Sequence, residues 1–138
     1  MALPQVGQKA ARSLKVTADH VEQFAQMTGD RNPLHFDEGF AARTKFGGLV
    51  VQGGLTTGLV HALVAMDMPG PGTVFLSQDW RFTAPVFIGD TITPEHEITA
   101  LERKRSAGLL TLRVTLTNQR AETILEGQHK YLVAYRPL

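Results

Sequence analysis

Between Phe46 and Met66 the chain carries no charged residue. From about Gly53 to Met66, Leu55, Leu59, Leu63 and Met66 recur on one face at helical spacing with Val60 and Val64 beside them, so this stretch predicts a helix that is apolar almost all round. A membrane span is the competing reading, but Gln52, two threonines, His61 and five glycines interrupt the run, and a buried helix preceded by a loop suits it better. Such a helix needs cover on most sides. A curved sheet wrapped around it would supply that cover.

The second half of the chain reads as the strands of such a sheet. After the break Pro69-Gly70-Pro71-Gly72, the residues Val74, Leu76, Trp80 and Phe82 alternate with Ser77, Asp79, Arg81 and Thr83, the period of a half-buried strand that Pro85 closes. Gly89-Asp90 marks a turn into a strand from Thr91 to Leu101, in which Pro94 suggests an edge position or a bulge. Leu110, Leu112, Val114 and Leu116 alternate with Thr111, Arg113, Thr115 and Thr117 in the cleanest strand, and Ile124 to Ala134 supplies the last. Helix and loop first, then four long strands, is the segregated order of an α+β domain. The length of 138 residues suits a single domain over 1–138.

Composition narrows the function. Fourteen Lys and Arg against thirteen Asp and Glu, with the signs interspersed, present no basic surface for nucleic acid or anionic lipid. The absence of cysteine excludes a disulfide framework, a thiolate zinc site and a cysteine nucleophile, so any thiol in the chemistry belongs to the substrate. The N-terminal residues lack a basic stretch followed by an apolar core, and a cytoplasmic location is the expectation.

In the first half, Thr17 or Asp19 can cap a helix in which Val21, Phe24, Ala25 and Thr28 recur at helical spacing, with Gly29 placed to end it. Asp30 then lies just beyond a helix end. Asn32-Pro33 predicts a non-helical turn, because the proline ring disfavours the α region for the residue before it, and His35 emerges from that turn. A short helix from about Asp37 to Arg43 follows, and then the run Lys45-Phe46-Gly47-Gly48. An aspartate and a histidine that both reach one bound water could orient it, take its proton as it attacks an electron-poor carbon, and protonate the neighbouring carbon. The same residues also suit a structural role, with Asp30 capping a turn and His35 as an ordinary polar residue; spacing alone does not decide. Gly53 and Gly54, where the apolar helix should start, could expose backbone N–H groups to a thioester oxygen as negative charge develops on it, or could simply permit close packing.

Asp30-Arg31-Asn32-Pro33-Leu34-His35-Phe36-Asp37, followed by Phe46-Gly47-Gly48-Leu49-Val50-Val51-Gln52-Gly53, resembles the hydratase signature of the MaoC-like family and its (R)-specific enoyl-CoA hydratases. The likeness extends to Val6-Gly7-Gln8, the strand Val74 to Phe82, Pro85-Val86 and Gly89-Asp90-Thr91, in the family's order. It implies a hot-dog fold, a long central helix wrapped by an antiparallel sheet, and a homodimer. It implies a hydro-lyase that adds water reversibly to a trans-2-enoyl-CoA to give the (R)-3-hydroxyacyl-CoA, with no metal or redox cofactor. Asp30 and His35 would activate the water, Asn32 would support their geometry, and the Gly53 backbone would bind the thioester oxygen, with Gln52 and Gly54 beside it. No clustered metal ligands and no glycine-rich dinucleotide fingerprint stand against this.

The sequence departs from the family pattern in two places. Gln52 stands where these hydratases often have histidine, and cannot titrate; His61, on the apolar helix, reads as a satisfied core residue outside the catalytic set. His20, His96 and His129 are scattered and suggest no site. Three alternatives stay open: a dehydratase acting on 3-hydroxyacyl groups of an acyl carrier protein, a hot-dog thioesterase, and a non-catalytic acyl-CoA-binding protein. Arg43, Lys45, Arg103, Lys104 and Arg105 are candidate cations for either a carrier-protein face or the phosphates of CoA.

Overall fold

The computed structural model describes residues 4–134. Two short strands, β1 (Lys9–Ala11) and β2 (Leu14–Lys15), precede the helices α1 (Ala18–Thr28), α2 (Pro33–Phe36), α3 (Glu38–Ala42) and α4 (Gly53–Ala62). Then come β3 (Thr73–Gln78), β4 (Arg81–Phe82), β5 (Thr91–Arg103), β6 (Ala107–Thr117) and β7 (Thr123–Ala134). The strands make one antiparallel sheet in the order β1-β5-β6-β7-β3, with β2 also on β5 and β4 also on β7.

The sheet's inner face is set by side-chain alternation. Leu110, Leu112, Val114 and Leu116 of β6 are fully buried, and Ile92 and Ile98 of β5 and Ile124, Tyr131 and Val133 of β7 join them against Val60 and Val64 of the apolar helical segment. α4 is thus the central helix in the concavity of an antiparallel sheet, an α+β architecture. The helical segment continues past Ala62 as a π turn over Leu63–Asp67, in which the Met68 N–H donates to the Leu63 carbonyl five residues back. The charge-free stretch is therefore a loop followed by a short helix covered on one side only, with Thr56, Val60, Leu63 and Val64 buried but Gly54, Gly58, His61 and Met66 exposed, and no helix among the described residues is long and apolar enough to cross a membrane.

The predicted strand over Val74 to Phe82 divides into β3 and β4. The register shifts between Phe75 and Ser77, and at Asp79 the backbone carbonyl presses so closely on Gly127 that a Cβ there would lie 1.7 Å from it. Of the apolar set expected to be half-buried, Trp80 packs against the core, whereas Val74 is 47% and Leu76 53% exposed on the outer strand β3 and Phe82 is 56% exposed on β4. Pro94 is neither on an edge strand nor at a bulge, since β5 lies between β1 and β6 and its bulge falls between Ile98 and Ala100. Its missing N–H is tolerated because it falls on the side where pairing lapses between β1 and β2, where the Pro94 carbonyl accepts from the Arg12 N–H. β1 and β2 themselves go beyond the four strands expected, and α2 begins at the very proline that the sequence reads as a non-helical turn. Asn32 stays extended, as the proline demands, whereas Pro33 occupies the first helical position, for which its ring is preset.

Candidate active site

The site forms where α1 ends. Thr17 caps this helix reciprocally with His20: the Thr17 hydroxyl accepts from the His20 N–H at 3.3 Å, and His20 Nδ1 accepts from the Thr17 N–H at 3.1 Å. Gly29 ends the helix in the left-handed conformation, φ 84°, with its N–H donating to the Ala25 carbonyl. That reversal delivers Asp30 to the surface of the turn. A ladder of short side-chain bonds then fixes the backbone from Asp30 to Leu34. The Thr28 hydroxyl accepts from the Asp30 N–H, Asp30 Oδ1 accepts from the Asn32 N–H, and Asn32 Oδ1 accepts from the Leu34 N–H at 3.0 Å as the cap of α2. Arg31 turns away to pair with Glu22 at 2.8 Å, bracing the turn against α1.

α2 presents His35 inward, where it is 9% exposed. Its Nδ1 lies 2.6 Å from the Val50 carbonyl, and the Val50 N–H donates to the Leu34 carbonyl at 3.0 Å, so two hydrogen bonds stitch α2 to the chain ahead of α4. A carbonyl oxygen can only accept. Nδ1 therefore carries the proton, and in the neutral ring Nε2 is left as a free acceptor. That nitrogen stands 3.6 Å from Asp30 Oδ1, too far for a direct hydrogen bond, with the aspartate 41% exposed and the histidine 10%. An ionised carboxylate and an imidazole lone pair facing each other across this gap are two acceptors in want of a shared donor, and a water molecule can donate to both.

α4 starts immediately after Val50 and Val51. Its cap residue, Gln52, makes no side-chain capping bond, and the Gly53 and Gly54 N–H groups donate to no other backbone group among the described residues. Gly53 does not adopt a positive φ. The two glycines have different surroundings. A Cβ on Gly54 would lie 2.5 Å from the Phe24 ring, where α1 packs on α4, whereas one on Gly53 would lie 3.1 Å from the ring of the exposed Phe82. Gly53 opens on a cleft of about 640 Å³, lined also by Lys45, Phe46, Val50, Phe82 and Phe87; Asp30, His35 and Gly54 do not line it. Gln52 is fully buried, with its Nε2 donating to the Val21 carbonyl in α1 at 3.0 Å.

The structure thus brings Asp30, Asn32 and His35 into one turn and ties that turn through Val50 to the start of α4. A family model, that of the MaoC like domain, matches residues 2–120. The chain belongs to the MaoC-like family. As a MaoC-like protein it is 42% identical over 110 residues to the (R)-specific enoyl-CoA hydratase of Aeromonas caviae, covering 80% of this chain and 82% of that one. It is 37% identical over 124 residues to the 3-hydroxybutyryl-CoA dehydratase of Methylorubrum extorquens, covering 90% of this chain and 77% of the relative. Among solved structures, an (R)-hydratase of A. caviae involved in PHA biosynthesis superposes with a TM-score of 0.87 at 37% identity, over 94% of this chain and 97% of that one. The fold is the hot-dog fold of these MaoC-like hydratases.

Two features of the site have no signature in the sequence. The Val50 carbonyl that sets the His35 tautomer is a backbone group, and Phe82, which faces Gly53, arrives from a strand far along the chain. His61, expected in the core, is exposed instead, stacked on Phe75 with ring centroids 4.6 Å apart and hydrogen-bonded to Gln78 at 3.1 Å. His96 and His129 are the histidines that the core encloses, at 1% and 0% exposure.

Proposed function

We propose that this MaoC-like protein is an (R)-specific enoyl-CoA hydratase, adding water reversibly to a trans-2-enoyl-CoA to give the (R)-3-hydroxyacyl-CoA, with Asp30 and His35 as its acid–base pair. The observation that carries the reading is the opposed pair of acceptors, Asp30 Oδ1 and His35 Nε2, 3.6 Å apart with the histidine's other nitrogen committed to Val50. Water held between them loses a proton to the pair as its oxygen bonds to C3 of the enoyl group. Electrons of the double bond move toward the thioester oxygen, and C2 then takes a proton from the pair. The N-terminus of α4, with the Gly53 N–H foremost, stabilises the enolate-like oxygen through a hydrogen bond and the helix dipole. Asn32 supports the pair by capping α2 beneath His35. Each step is a proton transfer or an addition, so the reaction calls for no metal or redox cofactor.

CoA is favoured as the carrier by the distribution of cations. Lys45 is the charged residue that lines the cleft, whereas Arg103, Lys104 and Arg105 sit at or beside the β5–β6 turn, at the far end of a 13-residue strand that spans roughly 40 Å. The two groups of cations do not form one docking face on this chain. A homodimer is supported by β3, a strand with one edge unpaired among the described residues and with Val74 and Leu76 exposed.

Ultraviolet absorbance tests the reading. The conjugated enoyl thioester signal of crotonyl-CoA should fall on addition of the protein, chiral analysis should give the (R) product, and Asp30→Asn and His35→Ala, folded by circular dichroism, should each lose roughly 10²- to 10⁴-fold in turnover. A folded variant with near-native turnover would remove that residue from the pair, and binding without loss of signal would remove the activity.

A further inference from the structure

The groups assigned to the reaction hang from two pieces of backbone. Asp30 is set by the end of α1, whereas the Val50 carbonyl that orients His35 and the Gly53 N–H both belong to residues 50–53. Besides the two bonds between α2 and Val50, one hydrogen bond among the described residues joins α1 itself to residues 50–53, from Gln52 Nε2 to the Val21 carbonyl near the start of α1, at 3.0 Å. Gln52 is 0% exposed, and its Oε1 is buried with no hydrogen-bond partner among the described residues. A residue whose task was only to fill this space would be better apolar, since an unpaired buried carbonyl is a standing cost. The orientation of the amide is also determined: turned over, its oxygen would face the Val21 oxygen and its donors would be wasted.

We infer that Gln52 is a positioning residue, which holds the start of α4 at a set distance from α1 and thereby, through the rigid helix, keeps the thioester-binding N–H in register with the Asp30–His35 pair. This rests on the hydratase reading above. Gln52 touches neither water nor thioester in this assignment and acts through Gly53 and Val50. Because the tie is an uncharged amide, its donor is present at every pH at which the protein is folded.

The experiment compares the full chain with Gln52→Leu, Gln52→Met, Gln52→His and Asp30→Asn, measuring hydration of crotonyl-CoA alongside thermal melting. The expected result for Leu and Met, which keep bulk and lose the donor, is a kcat lower by roughly 10- to 100-fold with KM little changed, since misplacement of reacting groups by about an ångström has effects of this size. Their melting temperatures should stay level or rise. Gln52→His, whose Nε2–H can reach the same carbonyl, should recover most of the lost kcat. Wild-type kcat in either folded apolar variant would overturn the assignment, as would equal losses in Leu, Met and His that track a fall in melting temperature. If Leu does not fold, Met and His decide between them by the same criteria. Full activity in Asp30→Asn would count against the hydratase reading itself, whatever Gln52 does.

Discussion

Gly53 and Gly54 are adjacent, yet substitution at each should fail for a different reason. A side chain on Gly54, although that residue is exposed, would lie 2.5 Å from the half-buried Phe24 ring where α1 meets α4, so the ring must shift. Gly54→Ala should therefore destabilise by about 1–3 kcal/mol, the usual cost of overpacking, while the molecules that remain folded keep most of their turnover. A side chain on Gly53 meets the outer edge of Phe82, which is 56% exposed and free to turn aside, so Gly53→Val should fold almost as well as the parent. It would nevertheless stand where the thioester approaches the helix N-terminus, and kcat/KM should drop by about 10²-fold or more. Activity per folded molecule, read beside melting temperature, separates these outcomes. A destabilised but fully active Gly53→Val would take Gly53 out of the proposed site. The motif residues were legible because their local bonds are encoded locally: Asp30 and Asn32 act on backbone groups two residues ahead. The gap of 3.6 Å between Asp30 and His35 was not legible, since it depends on a carbonyl fifteen residues beyond the histidine.

Among the elements, α1 and β6 were read correctly because each carries its own signal, the Thr17 cap and Gly29 stop for the helix and strict alternation for the strand. β1 and β2 carry none. Lys9-Ala10-Ala11 and Leu14-Lys15 are extended because β5 offers them backbone partners, and no side-chain pattern announces that. The division of β3 from β4 likewise depends on Gly127, in another strand, admitting the Asp79 carbonyl. β3 also carries a prediction. If its free edge pairs with a second copy, lysine at Val74 and Leu76 together should interrupt that pairing, because charged side chains on an open edge oppose strand addition. Both positions are exposed in the single chain, so the double variant should fold and sediment as a monomer at micromolar concentration. A variant that still sediments as a dimer would place the interface elsewhere.

For the molecule as a whole, the core holds two histidines that do not accept protons readily. Burial pushes His96 down to about 4, against the weaker opposing pull of Asp67, and pushes His129 down to about 4, against the nearby Asp79 carbonyl. Among the described residues neither ring nitrogen of His96 has a hydrogen-bond partner; in His129, Nδ1 meets the Tyr131 hydroxyl while Nε2 has none. The unfolded chain binds protons at both histidines below about pH 6.5, whereas the folded chain resists until about pH 4, so stability is fully present above that window and falls as pH drops through it. The loss approaches about 3 kcal/mol per histidine at the lower limit. Melting temperature should therefore be level above neutrality and decline steeply from pH 6.5 to 4. His96→Leu should raise it at about pH 5 and flatten the decline. An unchanged slope in that variant would show that His96 is not a source of the acid sensitivity.

The polar groups of the proposed chemistry all come from residues 30–53, and none comes from the second half of the chain, which contributes the apolar wall of Phe82, Phe87 and Ile124 around the cleft. The reacting groups thus come from one half of the chain, and the cleft wall is shared between that half, through Phe46, Val50 and Val51, and the other. Changes at wall residues such as Phe82 and Phe87 would reshape the cleft while leaving the Asp30–His35 pair untouched.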